Sequence, residues 1–207
     1  MNATLPNAIS STLCASIIKE VNELDGWTTP ERAIEMAGLV VEHKPEICVE
    51  IGVFGGRSLI PTALALRENR HGTVFGIDPW KTEAALEAEN EANKSWWQNN
   101  VNLDEIHTKT MRAIWRLELD PWAVIIRARS EHVPMLFGMV DWLLIDGNHS
   151  EVASCRDVKL YLPMVSSGGI VVMDDLDWPT TRKAGEMIEA ECDRIGGDGH
   201  YGIFVKR

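Results

Sequence analysis

The sequence predicts an α/β fold: a doubly wound, mostly parallel β-sheet with helices on both faces. Short apolar segments alternate with helix-like segments along most of the chain, and this order is typical of parallel strands joined by right-handed crossover helices. The strand-like segments are apolar at nearly every position, as expected for strands that are buried on both faces. The predicted strands span residues 47–51, 73–77, 122–128, 141–145, 169–173 and 201–206.

Helices are predicted before the first strand and between the others. Thr29 followed by Pro30 is typical of a helix start, because threonine caps the helix and proline fits its first turn. The predicted helices span residues 11–24, 30–43, 58–67, 130–138, 152–162 and 180–195. We expect a single domain over residues 1–207, with N-terminal helices in residues 1–45 and a helical insertion in residues 82–120 that could cap the site.

The composition favours a globular protein that acts on a small molecule. Of the 207 residues, 45% are hydrophobic and 25% are charged, and the net charge is −11. Nucleic-acid binders usually carry a basic face, so this balance argues against a nucleic-acid partner. No apolar run is long enough to cross a bilayer and the first residues do not resemble a signal peptide, so we expect no membrane partner and a cytoplasmic location. The four cysteines lack C-x-x-C spacing, which argues against a structural zinc site.

Glycine or acidic residues follow four of the predicted strands. Gly52 follows the first strand, Asp78 the second, Asp146 the fourth, and the pair Asp174 and Asp175 the fifth. In open α/β sheets, ligands bind beyond the carboxyl ends of the strands. The sequence therefore predicts that these residues line one binding site.

The segment EIGVFGGRS, residues 50–58, is the first candidate for ligand contact. Its glycines allow a tight turn and a close approach of the backbone to a ligand, and the helix that follows presents free N–H groups. It is not a G-x-G-x-x-G loop, and a tight strand-to-helix turn would also explain it. Asp78 could accept hydrogen bonds from both hydroxyls of a ribose, or it could be a turn residue before Pro79.

Two of these segments resemble motifs of the class I S-adenosylmethionine-dependent methyltransferases. VEIGVFGG, residues 49–56, is similar to their first motif, and GID, residues 76–78, is similar to their second. The resemblance implies a Rossmann-like methyltransferase fold and S-adenosylmethionine as the cofactor. It also implies that the glycine loop holds the methionine part and that Asp78 binds the ribose.

The resemblance extends to a set of candidate cofactor-binding residues. Ser130 falls where the family contacts adenine, Trp80 is a candidate to cover the adenine face, and Glu50 would support the glycine loop. The full set is Glu50, Gly52, Gly55, Ser58, Asp78, Trp80, Ser130 and Asp146.

The second half of the chain resembles a narrower group, the metal-dependent O-methyltransferases. The segments LIDGNHS, residues 144–150, and GGIVVMDD, residues 168–175, with Asp157 between them, are similar to the catechol, caffeoyl-CoA and macrocin-type sugar enzymes. This resemblance covers about residues 31–179. It implies transfer to an oxygen and a divalent cation held by Asp146, Asp174 and Asp175.

The charges of these three residues agree with a metal site. Converging carboxylates repel one another unless a cation or shared protons compensate. Oxygen ligands suit Mg²⁺, Mn²⁺ or Ca²⁺ better than zinc. Helix capping would explain any one of the three acids, but it explains all three less well.

His149 and Asp146 are the candidate catalytic residues. His149 follows Asp146 by three residues, where the catechol enzymes carry a basic residue that acts on the substrate hydroxyl, and an imidazole titrates near neutrality. His149 could instead orient a loop, and Asp146 could take the proton. Asp157 is interpreted as structural. A bound cation would lower the pKa of the substrate hydroxyl.

Several alternatives stay open at this level. The chain could be a metal-independent methyltransferase, a non-catalytic cofactor-binding protein or a nicotinamide-binding enzyme. Homodimerisation is also possible.

Family members usually close the sheet with a final hairpin, but only one strand, 201–206, is found here. The candidate walls of the substrate pocket are Trp27, Trp96, Trp97 and Trp115.

Overall fold

The protein is described by a computed structural model that covers residues 9–87 and 91–207, without the side chains of residues 91–93 and 96. Seven strands form one sheet in the order β3-β2-β1-β4-β5-β7-β6. The strands are β1 (Ile47–Ile51), β2 (Thr73–Ile77), β3 (Ala123–Ile126), β4 (Val140–Ile145), β5 (Val165–Met173), β6 (Cys192–Gly196) and β7 (Gly202–Lys206). The helices are α1 (Ser11–Glu23), α2 (Pro30–His43), α3 (Leu59–Asn69), α4 (Thr82–Ala85), α5 (Glu91–Asn100), α6 (Leu103–Arg116), α7 (Glu151–Tyr161) and α8 (Arg182–Glu189).

The predicted doubly wound, mostly parallel sheet is confirmed. Strands β1 to β5 are parallel to one another, whereas β7 is antiparallel to both β5 and β6. The chain winds outward from β1 to β3 on one side and from β4 to β5 on the other. The order therefore reverses between β1 and β4, where open α/β sheets bind their ligands.

The end of the chain differs from the prediction of one helix over residues 180–195. Helix α8 ends at Glu189, and Cys192–Gly196 forms the edge strand β6 of the final hairpin. Ile188, Cys192 and Ile195 follow one another at helical spacing, which extends the apparent helix. Pairing with β7 outweighs this local pattern, so the sheet is not one strand short.

The segment after β3 also differs from the prediction. Instead of one helix over residues 130–138, two short 3₁₀ turns span Ser130–His132 and Pro134–Leu136. Pro134 has no N–H to donate, and its ring disfavours the helical conformation in the residue before it. An α-helix therefore cannot run through this position without a break.

The core has two layers, one on each face of the sheet. Successive residues of a strand point to opposite faces. Trp142 of β4 accordingly packs in the cluster that contains Ile17 of α1 and Met36 of α2. Its neighbour Leu143 packs in the other cluster, which contains Tyr161 of α7. Among residues 9–87 and 91–207, no helix combines the length and apolar character that crossing a bilayer requires.

An ion pair joins the N-terminal helix α1 to α6. Arg116 donates to both carboxylate oxygens of Glu20, at 3.1 and 2.5 Å. Glu20 is almost completely buried, whereas Arg116 is about half exposed. Because a buried carboxylate without a partner is costly, the pair should fix α6 against the N-terminal helices.

We predict that Arg116→Ala destabilises the fold, because it leaves the Glu20 carboxylate buried without its main partner. Removing one partner of a buried pair costs about 3–5 kcal/mol, and we expect about 2–3 kcal/mol because Arg116 is partly exposed. Urea denaturation measures the change, with Arg112→Ala on the exposed side of the same helix as the control. Equal stability of the two variants would contradict this role of the pair.

Candidate active site

The backbone brings the carboxyl ends of four strands to one edge of the sheet. The hydrogen bonding of the sheet continues one residue beyond the strands: Gly52 donates its N–H to Ile77 at 2.9 Å, and Asp146 donates to Ile51 at 2.8 Å. Asp174 donates to Ile145 at 3.1 Å. The residues that follow β1, β4 and β5 therefore lie side by side.

A cavity of about 1030 Å³ opens above this edge. Its walls include most of the residues expected from the sequence, together with parts of α2 and the loop between β6 and β7. The expected residues that line it are Gly52, Gly55, Ser58, Asp78, Ser130, Asp146, His149, Asp174 and Asp175.

Close backbone packing explains two of the glycines. A Cβ atom on Gly52 would lie 1.9 Å from the carbonyl oxygen of Asp146, and one on Gly55 would lie 2.0 Å from that of Asp25. Both distances are far below van der Waals contact. The glycine loop is therefore held between the loop after β4 and the loop between α1 and α2, whatever ligand it binds.

Asp78 organises the glycine loop from the end of β2. Its Oδ2 accepts hydrogen bonds from the backbone N–H groups of Val53 and Phe54, at 3.1 and 3.0 Å, and its Oδ1 accepts one from Trp80 at 2.7 Å. Burial raises the pKa of this carboxyl, and the three backbone donors partly offset the rise. The carboxylate thus ties β2 to the loop after β1.

Glu50 lies beneath the glycine loop and does not line the cavity. It is buried, and its Oε1 accepts a hydrogen bond from the Ser58 hydroxyl at 2.7 Å. Burial is the main cause that raises the pKa of Glu50 to about 8, and the charges of Asp146 and Asp78 add to the rise. At neutral pH this side chain therefore holds its proton.

The indole of Trp80 lies in the core and not in the cavity, so the expectation that it covers the adenine face is wrong. The side chain is only 1% exposed and does not line the cavity. Its indole N–H donates to the carbonyl oxygen of Phe54 at 2.9 Å, and its ring packs edge-on against His107. The backbone of Trp80 has a φ of 42°, and the tight turn after Asp78 directs the indole into the core.

Ser130 lies in the cavity wall beside two buried partners. Its hydroxyl donates to Oδ1 of Asp157 at 2.5 Å, and its carbonyl oxygen accepts from the Tyr161 hydroxyl at 2.6 Å. Burial raises the pKa of Asp157 to about 6, although the Ser130 hydrogen bond opposes the rise. The 3₁₀ turn after β3 is thereby anchored to α7.

Two histidines approach the acidic residues at the ends of β4 and β5. Nε2 of His149 lies 2.5 Å from Oδ2 of Asp175 and 3.5 Å from Oδ1 of Asp146. Nε2 of His200, from the loop between β6 and β7, lies 3.2 Å from Oδ1 of Asp175. His200 is not among the residues expected from the sequence, because nothing in its local sequence indicates that the final hairpin folds back over β5.

The protein supplies positive charge against each of these acids. Arg32 of α2 donates Nη1 to both oxygens of Asp174, at 2.7 and 2.8 Å. Burial disfavours a charged His149, but its close contacts with the carboxylates of Asp146 and Asp175 outweigh the effect of burial and raise the pKa of His149 to about 10. Burial and the charge of Asp174 raise the pKa of Asp146 to about 7 against the opposing effect of His149.

The side chains of Asp146, His149 and Asp175 fit a divalent cation. Each offers one ligand atom, and these atoms all lie within 4.8 Å of one another. Nε2 of His149 is buried and makes no hydrogen bond of ordinary geometry despite its short contact with Asp175. Two carboxylates and one imidazole suit Mn²⁺, which accepts both donor types, better than Ca²⁺. A second group of this kind joins Asp174 and Asp175 to His200. Each of the three acids expected from the sequence therefore belongs to one of the two groups.

Aromatic rings form the remaining walls of the cavity. Trp27 stacks on Phe54 with the ring centroids 5.0 Å apart, and Trp97 meets Phe54 edge-on at 5.9 Å. Trp178 packs against His149 at 5.1 Å and was missed by the sequence analysis. Trp115 is 62% exposed and does not line the cavity. The side chain of Trp96 lies outside the described residues.

We predict that Glu50→Gln makes stability less dependent on pH. Because the pKa of Glu50 is raised to about 8, its contribution is fully present below the ordinary value of 4.5 and is lost as the pH rises to about 8. Glutamine keeps an oxygen for Ser58 but cannot ionise. Between about pH 5.5 and pH 8.5, the melting temperature of Glu50→Gln should therefore fall by at least a few degrees less than that of the wild type.

Glu46→Gln is the matched control, because Glu46 is exposed just before β1. Its melting temperature should follow that of the wild type across the same interval. If the profile of Glu50→Gln also follows the wild type, the buried carboxyl of Glu50 does not hold its proton as described.

Sequence comparison identifies the family. The chain matches the family model of a methyltransferase domain over residues 49–176. A curated relative, an uncharacterised protein of Acanthamoeba polyphaga mimivirus, is 31% identical over 127 residues, which are 61% of this chain and 50% of that protein. The chain thus spans about half the length of this relative.

Solved methyltransferases share the fold. The O-methyltransferase NovP superposes with a TM-score of 0.71 at 18% identity, over 86% of this chain and 80% of its own. TomG from Streptomyces achromogenes, solved with S-adenosylmethionine, has a TM-score of 0.66 at 14% identity, over 97% and 92%. The O-methyltransferase from Bacillus cereus, solved with S-adenosylhomocysteine, has a TM-score of 0.62 at 14% identity, over 97% and 93%.

The family match covers β1 to the end of β5, where the glycine loop, Asp78 and the three acids lie. The resemblance of these motifs to the class I enzymes is thereby confirmed. The chain belongs to the methyltransferase-domain family.

Proposed function

We propose that the protein transfers a methyl group from S-adenosylmethionine to a hydroxyl oxygen of a small molecule, with a divalent cation bound at Asp146, His149 and Asp175. One observation carries this proposal: a single cavity joins the glycine loop and Asp78 to the acidic residues at the ends of β4 and β5. A cofactor and an acceptor bound there would lie next to each other.

The position of the cofactor in the cavity is inferred from the family resemblance. The methionine part would lie on the glycine loop, the ribose at Asp78 and the adenine at Ser130. Oδ1 of Asp78 accepts one hydrogen bond from the backbone of Trp80. A carboxylate oxygen can accept a second, so Asp78 can bind a ribose hydroxyl while it continues to hold the loop.

The acidic half would receive the acceptor. A bound divalent cation would lower the pKa of a hydroxyl that it contacts. The pKa of Asp146 is raised to about 7 by burial and by Asp174, which suits a group that accepts a proton near neutral pH. Without a cation, His149 holds its proton more tightly, and a cation that binds Nε2 would displace this proton. We therefore assign the role of base to the carboxylate oxygen of Asp146 that the cation does not contact, and the role of ligand to His149.

The proposed reaction is a direct transfer of the methyl group to the acceptor oxygen. The acceptor hydroxyl gives its proton to a carboxylate oxygen of Asp146, and its oxygen attacks the methyl carbon. The bond from carbon to the sulfonium sulfur breaks, and the sulfur leaves as a neutral thioether. Holding both reactants in line removes much of the entropic barrier. The protein's contribution is therefore alignment and proton removal.

The walls of the cavity support a flat or ring-shaped acceptor. Trp27 and Trp97 line one part of the cavity and Trp178 lines another, next to His149. Aromatic faces stack on phenols and on sugar rings alike. NovP and TomG, which share the fold, are O-methyltransferases, and this supports oxygen as the acceptor atom.

A second candidate is the same transfer without a cation. The ion pair between Arg32 and Asp174, together with the contacts of His149 with Asp146 and Asp175, already offsets much of the negative charge. In that case Asp146 would act alone on the hydroxyl. The dependence of activity on metal separates the two candidates.

We predict that Asp78→Asn weakens S-adenosylmethionine binding about 10- to 100-fold, because charged hydrogen bonds contribute about 1.5–3 kcal/mol. The asparagine amide has only one acceptor oxygen, so it cannot accept hydrogen bonds from all the donors around this carboxylate. Calorimetric titration measures the affinity, and Asp120→Asn, exposed before β3, is the control. Affinities within threefold of the wild type for Asp78→Asn would place the ribose elsewhere.

We also predict that methyl transfer needs a divalent cation and the Asp175 carboxylate. Wild-type protein is assayed with catechols and with sugars that carry adjacent hydroxyls, with Mn²⁺, with Mg²⁺ and with a chelator. Activity should fall at least 10-fold with the chelator and in Asp175→Asn, while Asp120→Asn keeps it. Full activity in the chelator would instead support the metal-independent candidate.

A further inference from the structure

We propose that the guanidinium of Arg57 binds the carboxylate in the methionine part of S-adenosylmethionine. This inference rests on the proposed function, because it takes the methionine part to lie on the glycine loop. Arg57 belongs to that loop, directly before Ser58, and it lines the cavity. The glycines of the loop allow a close approach of the backbone, whereas Arg57 would add a charged contact to one particular group of the cofactor.

Most of the hydrogen-bond donors of Arg57 have no partner in the protein. Its Nη1 donates to the carbonyl oxygen of Gly26 at 2.5 Å, and this is its one hydrogen bond to the described residues. Its Nε is buried without a partner. A guanidinium carries five N–H donors, and a buried donor without a partner is unfavourable. Arg57 can therefore donate to a ligand while it continues to hold Gly26.

The charge of Arg57 is also left without an acidic partner in the part of the chain that the structure describes. Asp25, which precedes Gly26 and lines the same cavity, pairs instead with Lys109 at 3.3 Å. Each of the other arginines that the structure describes in the cavity wall forms ion pairs: Arg32 with Asp174, Arg129 with Glu87 and Glu131, and Arg156 with Glu131. Arg57 is thus the arginine of this wall whose charge is available to an anionic group.

The acidic character of the cavity makes such a charge important for the cofactor. Acidic residues outnumber lysines and arginines among the described residues of its wall. This favours the ammonium and the sulfonium of the cofactor but disfavours its carboxylate. A guanidinium on the glycine loop would compensate, because arginine forms strong charged hydrogen bonds with carboxylates. Lys81 also lines the cavity, but it is exposed and follows Asp78, where the ribose would lie.

Arg57 also has a structural contact that must be separated from the proposed one. Gly26, which accepts its hydrogen bond, precedes Trp27, and Trp27 stacks on Phe54 of the glycine loop with the ring centroids 5.0 Å apart. Loss of the guanidinium could therefore change the shape of this wall as well as remove a ligand contact. A pair of ligands that differ only in the carboxylate distinguishes the two effects.

The test is calorimetric titration with S-adenosylhomocysteine and with its decarboxylated analogue, in which hydrogen replaces the carboxylate. The wild type should bind the analogue about 10-fold more weakly or worse, because a charged hydrogen bond is lost. Arg57→Gln should bind the two ligands with affinities within about threefold of each other, since neither meets the charge. Arg57→Lys keeps the charge and should still prefer S-adenosylhomocysteine. Arg112→Gln, exposed on α6, is the matched control and should discriminate as the wild type does.

The outcomes separate this inference from the proposed function. If the wild type binds neither ligand, the cofactor assignment itself is wrong. If Arg57→Gln weakens both ligands by the same factor, or weakens neither, the cofactor assignment stands and the role of Arg57 is overturned. An Arg57 that binds the carboxylate of an acidic acceptor instead would give this last result. If Arg57→Gln does not fold, equal affinity of the wild type for the two ligands overturns the role.

Discussion

Carboxyl groups crowded at one edge of a parallel sheet are the constraint on which the rest of this structure depends. Glu50, Asp78, Asp146, Asp174 and Asp175 all lie at or just beyond the carboxyl ends of β1, β2, β4 and β5. Like charges at such short range are unfavourable unless each is compensated. The protein compensates them in different ways.

Each means of compensation gives its carboxyl group a different chemical character. Glu50 is buried, so its pKa is raised and it holds a proton beneath the loop. Asp78 accepts three backbone N–H groups and remains a hydrogen-bond acceptor. Asp174 is paired with Arg32. Asp146 and Asp175 both lie close to His149, and the three side chains form one of two groups that could hold a cation.

Much of the centre of the fold could be predicted from local sequence. Buried parallel strands are continuously apolar, and the residues that follow them indicate where a ligand binds. Gly52, Asp78 and Asp146 were found in this way and line the cavity. The final hairpin was missed because Cys192 and Ile195 continue the helical spacing of α8, whereas the pairing that makes β6 a strand comes from β7.

The parts of the site that sequence reasoning missed or misplaced depend on distant contacts. Arg32 and His200 reach the acids from α2 and from the β6–β7 loop, and no local pattern indicates either approach. Trp80 was expected over the cofactor, but a carbonyl oxygen of the glycine loop accepts its indole N–H inside the core. In each case the deciding partner lies more than 20 positions away in the chain.

The most direct test of this account is a crystal structure of the protein with S-adenosylhomocysteine and Mn²⁺, with the metal located by its anomalous scattering. We expect one manganese peak bounded by Asp146, His149 and Asp175, and ribose hydroxyls at Asp78 in the same cavity. A peak ligated by Asp174 with Arg32 displaced, or a cofactor bound away from the glycine loop, would contradict it.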